Sequence, residues 1–262
     1  MARFANKEAR VAGVLSFATL AFIITLWAVL SNLKIVSAAL LPTPQSVWFS
    51  FVDIVENGYK GSTLLQHIGA SMERLLVAYV CALVFAIPLG LLSGFNSKVR
   101  AIIEPLIEFY RPVPPLAYYT LLVLWMGIGN GSKIMLLFLS AFSPIFVSCV
   151  SAVSRVKKDY LSAAYTVGAS GRQVFIHVVL PACLPDIFTG ARTAMGTSYA
   201  TLVAAEMVAA TSGLGWLVLD ASNFLRTDIV FMGIVIMGLT GILLNKILAF
   251  AEEKMVFWKG KD

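Results

Sequence analysis

The residues able to do chemistry are few, and two of them lie in an apolar setting. Glu206 and Arg192 fall in the apolar stretch 187–210. There are two histidines, His67 and His177, and three cysteines, Cys81, Cys149 and Cys183. The cysteines form no CxxC pair, and their spacing argues against structural disulfides. Gly168-Ala169-Ser170-Gly171 lacks the spacing of a GxSxG nucleophile elbow. Gly260-Lys261 is followed by Asp262 and has no glycine-rich loop to cradle a nucleotide's phosphates. No cluster with metal-ligand spacing emerges. The chain is therefore not expected to be an enzyme, to hold a metal or to bind ATP itself. An acid inside an apolar stretch faces a cavity or a partner rather than lipid. Glu206 thus lines a path, caps a loop or pairs across an interface. Arg192 reads as a side chain that snorkels to headgroups, and Arg74 as a helix-end anchor or an attractor of anions. Lys133 and Asn130 read as solvated residues of a tight turn.

The elements that must position these groups follow from composition. Of 262 residues 59% are hydrophobic and only 13% charged, where a soluble domain carries about 25% charged residues. The expected fold class is all-α: a polytopic helical membrane protein, because helices satisfy their own backbone groups in lipid. The ten-residue alternation of a membrane barrel is absent. Six spans can be drawn, at 11–31, 75–95, 116–128, 134–153, 187–210 and 229–250. The third is short. The first follows Arg3, Lys7 and Arg10 but is too long for a signal-peptide apolar core of about 7–15 residues, so it reads as a retained span.

Charge orients this layout. With the N-terminus inside, the inner segments 1–10, 96–115, 154–186 and the C-terminal tail hold most of the 20 basic residues. The outer segments hold Lys34, Lys60, Lys133 and Arg226. Both termini are therefore expected to be cytoplasmic, with 1–10 and 251–262 as tails around a six-span domain at 11–250. The net charge of +6 reflects this bias, and no nucleic acid is implied.

Between the spans, Leu41-Pro42-Thr43-Pro44 predicts a turn that starts a helix, either lying on the membrane surface or packed in a loop. Ile102, Ile103, Leu106, Ile107 and Tyr110 are spaced for one face of an inner interfacial helix. Gly90 and Gly94 form a GxxxG pair suited to close helix contact, within the subunit or between subunits. Pro88 and Pro144 lie inside spans and are expected to bend them.

The most informative segment lies between the fourth and fifth spans. Ser162-Ala163-Ala164 is followed by Gly168, and nine residues later by Val178-Val179-Leu180-Pro181. Small residues let another surface approach closely. Gly168 suits a left-handed helix end, Ala169-Ser170-Gly171-Arg172-Gln173 supplies a cap and a second short helix, and Pro181 is expected to stop that helix before the next span.

This segment resembles the Glu-Ala-Ala-x3-Gly-x9-Ile-x-Leu-Pro signature of bacterial ABC importer permeases, with Ser162 in place of the usual glutamate and Val178 in place of isoleucine. Leu41-Pro42-Thr43-Pro44, Arg111-Pro112-Val113-Pro114-Pro115-Leu116-Ala117, Leu202-Val203-Ala204-Ala205-Glu206, Gly213-Leu214-Gly215 and Phe224-Leu225 with Thr227-Asp228 are similar to the nitrate/sulfonate/taurine permeases. The stretch from Glu108 to Pro115 is most like the taurine branch. The resemblance implies a type I ABC importer permease of the bacterial inner membrane that carries taurine, with alkanesulfonates, nitrate or another small organic anion as alternatives. It implies a second permease copy, two ATP-binding subunits that bind the ATP and Mg, and an extracytoplasmic substrate-binding protein. Docking on the ATPase is implied for Ser162, Ala163, Ala164, Gly168, Ala169, Ser170, Arg172, Leu180 and Pro181. Ser198, Thr201 and Glu206 are the translocation-path candidates. For Glu206 the structural reading is preferred, since the family keeps that acid with different cargoes. A secondary transporter would need a coupling-ion site and paired repeats, and neither is visible. A membrane scaffold that regulates an ATPase is the other rival.

Overall fold

The computed structural model describes residues 2–33 and 35–258, with side chains from residue 13 onward. The placement of Met1, Lys34 and 259–262 falls outside the described residues, as do the side chains of Arg3, Lys7 and Arg10. In chain order the helices are α1 Ala2–Asn32, α2 Pro44–Asn57, α3 Leu64–Phe95, α4 Ser97–Tyr110, α5 Pro115–Met126, α6 Asn130–Arg155, α7 Lys158–Thr166, α8 Gly171–Val174, α9 Leu180–Ala209, α10 Leu214–Asn223 and α11 Thr227–Met255. A π-helical stretch, Phe175–Val179, joins α8 to α9. Among the described residues, the all-α reading holds.

Among the described residues, five helical segments are long and apolar enough to cross a bilayer: Gly13–Asn32, α3, α6, Gly171–Ala209 and α11. The expected third span is α5, which has 12 residues. At about 1.5 Å per residue it covers roughly 18 Å, well short of a hydrocarbon core of about 30 Å. Pro115 opens it, and Gly127, at φ +81°, closes it by donating its N–H to Val123 O. It is not lengthened upstream: Pro112, Pro114 and Pro115 cannot donate to a helical ladder.

The chain forms two compact units. One comprises Leu65–Trp216 with Ile236–Asp262. Its core is built on α3, α6 and α9, through Leu75, Tyr79, Ala82, Ala141, Ile145, Phe146, Cys149, Cys183 and Ala194. Small residues set the spacing. A Cβ on Gly90 would lie 2.6 Å from Cys149 Cβ and 2.8 Å from Phe146 O, and one on Gly94 2.7 Å from Val153 Cβ. The GxxxG pair therefore packs within the subunit, against α6. Across the same unit the Tyr79 hydroxyl donates to Ala191 O at 2.8 Å. Because the Phe146 carbonyl is backbone and cannot swing away, Gly90→Val is expected to lower stability by about 1–3 kcal/mol. Gly238 has open space around it, so Gly238→Ala serves as the control. Thermal unfolding of the two purified variants checks this, and equal midpoints would refute the tight contact.

On α4 the expected single apolar face divides. Ile103, Ile107 and Tyr110 pack on the core, while Ile102, Leu106 and Phe109 are exposed. Each set repeats at i, i+4, i+7, so two adjacent stripes serve two surroundings.

The other unit comprises residues up to Leu64 with Leu217–Val235. The expected turn before α2 is present: Thr43 caps the helix by accepting the Ser46 N–H at 3.2 Å. Val47, Ser50 and Ile54 turn inward while Trp48 and Phe49 stay exposed. The Ser50 hydroxyl donates to Asp228 Oδ2 at 2.6 Å, and Trp27 Nε1–H donates to Pro42 O at 2.9 Å while its ring stacks on Phe231. The Tyr59 hydroxyl donates to Asp220 at 2.8 Å. Burial, with the Asp220 carboxylate second, pushes its pKa up to about 12, so it remains a donor at neutral pH.

Candidate functional site

The connection from α6 to α9 is a helix-turn-helix with local chemistry at each joint. After α7 the chain turns at Gly168, φ +84°. Gly168 N–H donates to Tyr165 O at 3.0 Å and Ala169 N–H to Ala164 O at 3.1 Å. These are the two bonds of a Schellman motif, which needs the left-handed residue between them. Ser170 then forms a full capping box: its side chain accepts the Gln173 N–H, and Gln173 Oε1 accepts the Ser170 N–H at 2.8 Å. Val174 and Val179 are buried anchors, and Arg155 pairs with Asp186 at 3.2 Å across the base.

Ser162, Ala163, Gly168, Ser170 and Arg172 are exposed on this connection, and Ala164, Ala169, Leu180 and Pro181 are half-buried. Between α7 and the second helix lies an open hollow of about 340 Å³, lined by Ala164, Val167, Gly168, Ala169, Gln173 and His177 among others. Val167 beside it is 84% exposed. The site is thus an apolar knob next to a small-walled hollow.

Pro181 does not stop the helix, contrary to expectation: Gly171–Ala209 runs as one apolar segment. The reason is the π stretch. Leu180 N–H reaches back five residues to Phe175 O. The widened turn makes room for a proline ring that would collide with the fourth preceding carbonyl in a regular ladder.

A second cluster joins α3, α6 and α9 to the turn after α9. Glu206 is fully buried. Its carboxylate accepts Arg74 Nη1 at 2.7 Å, Gly215 N–H at 2.9 Å and the Ser71 hydroxyl at 2.8 Å. Arg74 also donates to Ser212 O at 2.8 Å and to Asn130 Oδ1 at 2.9 Å. Ser71 Oγ accepts the Leu214 N–H, and His67 Nδ1 accepts the Gly213 N–H while its ring stacks on Trp216. Gly213 sits at φ +125°, and a Cβ there would strike the Glu206 carboxylate. Arg74 is therefore neither a helix-end anchor nor a solvent-facing attractor but the buried partner of Glu206. Of the two turn residues expected to be solvated, Asn130 is exposed, although its Oδ1 also accepts from Arg74, but Lys133 is buried and its Nζ donates to the carbonyls of Ile128 and Gly129 at 3.1 Å.

A third feature is a cavity of about 490 Å³ lined by Arg111, Tyr118, Ser140, Ser143, Thr193, Thr197 and Thr201 among others. Of the three path candidates only Thr201 lines it. Ser198 is fully buried and donates to Leu137 O at 3.3 Å, and Glu206 is engaged at the turn.

Residues 86–256 match the family model described as binding-protein-dependent transport system inner membrane component. The chain belongs to this family. The permease is 42% identical over 248 residues to the taurine transport system permease protein TauC of Escherichia coli K12, covering 94% of this chain and 90% of that one. It is 31% identical to a putative aliphatic sulfonates transport permease protein, SsuC of Bacillus subtilis 168, over 91% of this chain and 85% of that one. It is 32% identical to the nitrate import permease protein NrtB of Leptolyngbya laminosa, over 78% of this chain and 74% of that one. Among solved structures, an inward-facing MetNI methionine ABC transporter chain shares the fold, with TM-score 0.63, 18% identity, and coverage of 74% of this chain and 94% of that one. The chain is thus a multi-pass inner-membrane permease of the type I ABC importer fold.

Two further findings concern the permease's own side chains. Arg192 does not simply reach for headgroups: it donates to Asn245 Oδ1 at 3.1 Å and pairs with Glu252 at 3.3 Å, tying α9 to α11. The cavity residues Thr193 and Thr197 went unnoticed in the sequence, although with Thr201 they repeat every fourth position, the spacing of one helical stripe. Among the described residues no group of His, Cys, Asp and Glu is arranged to hold a metal.

Proposed function

We propose that this permease is the membrane subunit of an ATP-driven taurine importer. Two copies form the pathway, two ATP-binding subunits bind the nucleotide and Mg, and an extracytoplasmic protein delivers the cargo. The observation that carries taurine is the 42% identity to a taurine permease along nearly the whole chain, against 31–34% for sulfonate and nitrate permeases and other relatives. Both termini lie in the cytoplasm in this reading, supported by the basic residues of the inner segments, with 1–10 and 251–262 as tails around the membrane domain at 11–250.

The ATPase docks on the α7–α8 connection through Ser162, Ala163, Ala164, Gly168, Ala169, Ser170, Arg172, Leu180 and Pro181. The exposed knob at Val167 and the hollow beside it support this assignment. Closure of the ATPase pair on ATP moves the connection, and the continuous helix from Gly171 to Ala209 carries that movement to the cavity wall. Ser162 in place of the family's glutamate removes one polar contact but leaves the apolar docking surface. The path follows the Thr201 side of the cavity, while Ser198 and Glu206 hold its wall and its far turn in place.

The test uses bacterial cells deleted for their own taurine permease and supplied with this chain and its partner subunits. Labelled taurine is expected to accumulate, with excess ethanesulfonate competing weakly and nitrate not at all. Accumulation of ethanesulfonate or nitrate in place of taurine would reassign the cargo.

A further inference from the structure

The cavity of about 490 Å³ has the size of a small-molecule site, and its wall is chemically divided. Arg111 is the one charged side chain among its described lining residues. On the α9 side the hydroxyl protons are already spent. Thr193 donates to Thr189 O at 3.0 Å, Thr197 to Ala194 O at 3.0 Å and Thr201 to Thr197 O at 2.9 Å. With Thr201's proton committed, Ser140 is the donor in the 3.0 Å bond between them. A hydroxyl bonded back to its own helix offers only lone pairs. The α9 stripe is therefore an acceptor wall, and the Arg111 guanidinium is the donor wall.

We infer that this cavity takes a small zwitterion in one orientation, its sulfonate toward Arg111 and its ammonium against the oxygens of Thr193, Thr197 and Thr201. The inference rests on the taurine reading and deepens it, because it makes the permease itself select an aminosulfonate over a plain alkanesulfonate. An anion without an ammonium satisfies the donor wall and leaves the acceptor wall unused. Guanidinium gives a planar, bidentate match to sulfonate oxygens that an ammonium cannot copy.

The experiment uses the permease with its ATPase subunits in nanodiscs, without nucleotide or binding protein, and measures binding by saturation-transfer NMR with taurine and ethanesulfonate as probes. Arg111→Gln is expected to weaken both probes by about tenfold or more, the loss of a charge-assisted contact. The pair Thr193→Val and Thr197→Val is expected to weaken taurine about five-fold and leave ethanesulfonate unchanged. The pair Thr193→Ser and Thr197→Ser, which keeps the oxygens, should restore taurine binding. Unchanged ethanesulfonate binding also reports that the valine protein is folded. Equal loss of both probes in the valine protein, no loss at all, or absence of taurine binding by the wild type overturns the proposal. If cells still accumulate taurine in that case, the importer stands and only the cavity assignment falls. If they do not, both fall together.

Discussion

Glu206→Ala is expected to destabilise the permease by about 3–5 kcal/mol, the cost of leaving a buried charge without its partner. Arg74 would remain buried at 5% exposure, with the buried Lys133 cation on α6 also left without a nearby carboxylate. Ser71 and the Gly215 N–H would lose their shared acceptor as well. Arg74→Ala should be similarly severe, since it strands the carboxylate and frees Ser212 O. The double variant Arg74→Met with Glu206→Met should recover much of the loss, because two apolar side chains replace a pair whose desolvation offsets most of its attraction. Thermal unfolding of the wild type, Arg74→Met, Glu206→Met and the double variant gives the cycle. Additive losses would mean that the two residues act independently. If Glu206→Ala kept its midpoint while taurine uptake vanished, the carboxylate would be working on the cargo rather than on the turn.

Gly168→Asp is expected to abolish transport with the membrane fold intact. No atom lies within 4 Å of where a Cβ would stand at this position, so there is room for a side chain, but φ is +84°, which costs an ordinary L-residue about 1–2 kcal/mol. The larger effect is the carboxylate, which stands at the hollow where the ATPase would dock. Desolvating an unpaired charge at an interface costs about 2–5 kcal/mol, or roughly 30-fold and upward in affinity. Asparagine tolerates the left-handed region much as aspartate does but carries no charge, so Gly168→Asn isolates the charge and should keep most of the uptake. Co-purification of the ATP-binding subunit with each variant, beside uptake and an unfolding curve, checks this. Normal uptake by Gly168→Asp would remove the connection from the mechanism.

What the sequence made legible was local. The Schellman turn at Gly168 and the capping box of Ser170 and Gln173 involve residues within a few positions, so residue type alone specifies them. The turn at Thr43 is of the same kind. The Arg74–Glu206 pair was hidden because its members lie 132 residues apart. Taken alone, Arg74 looks like any basic residue near a span end, and Lys133 like any turn lysine. Pro181 misled for a different reason: proline ends a regular α-helix, but the π stretch before it changes the backbone it meets. Glycine spacing at Gly90 and Gly94 signalled close contact, yet its partner, Cys149 with Phe146 and Val153 on α6, emerged only from packing. The threonine stripe on α9 was readable by period, but in a long apolar run it looks like back-bonded filler until the cavity beside it is seen.

The most direct measurement is accumulation of labelled taurine in proteoliposomes that contain this permease and its ATP-binding subunits, with the binding protein on the opposite face from Mg-ATP. The expected result is accumulation against a gradient that requires ATP and the loaded binding protein and that Gly168→Asp abolishes. Taurine that merely equilibrates without ATP, or an ATPase that neither binds the permease nor responds to the loaded binding protein, would contradict the reading of this chain as the driven half of an importer.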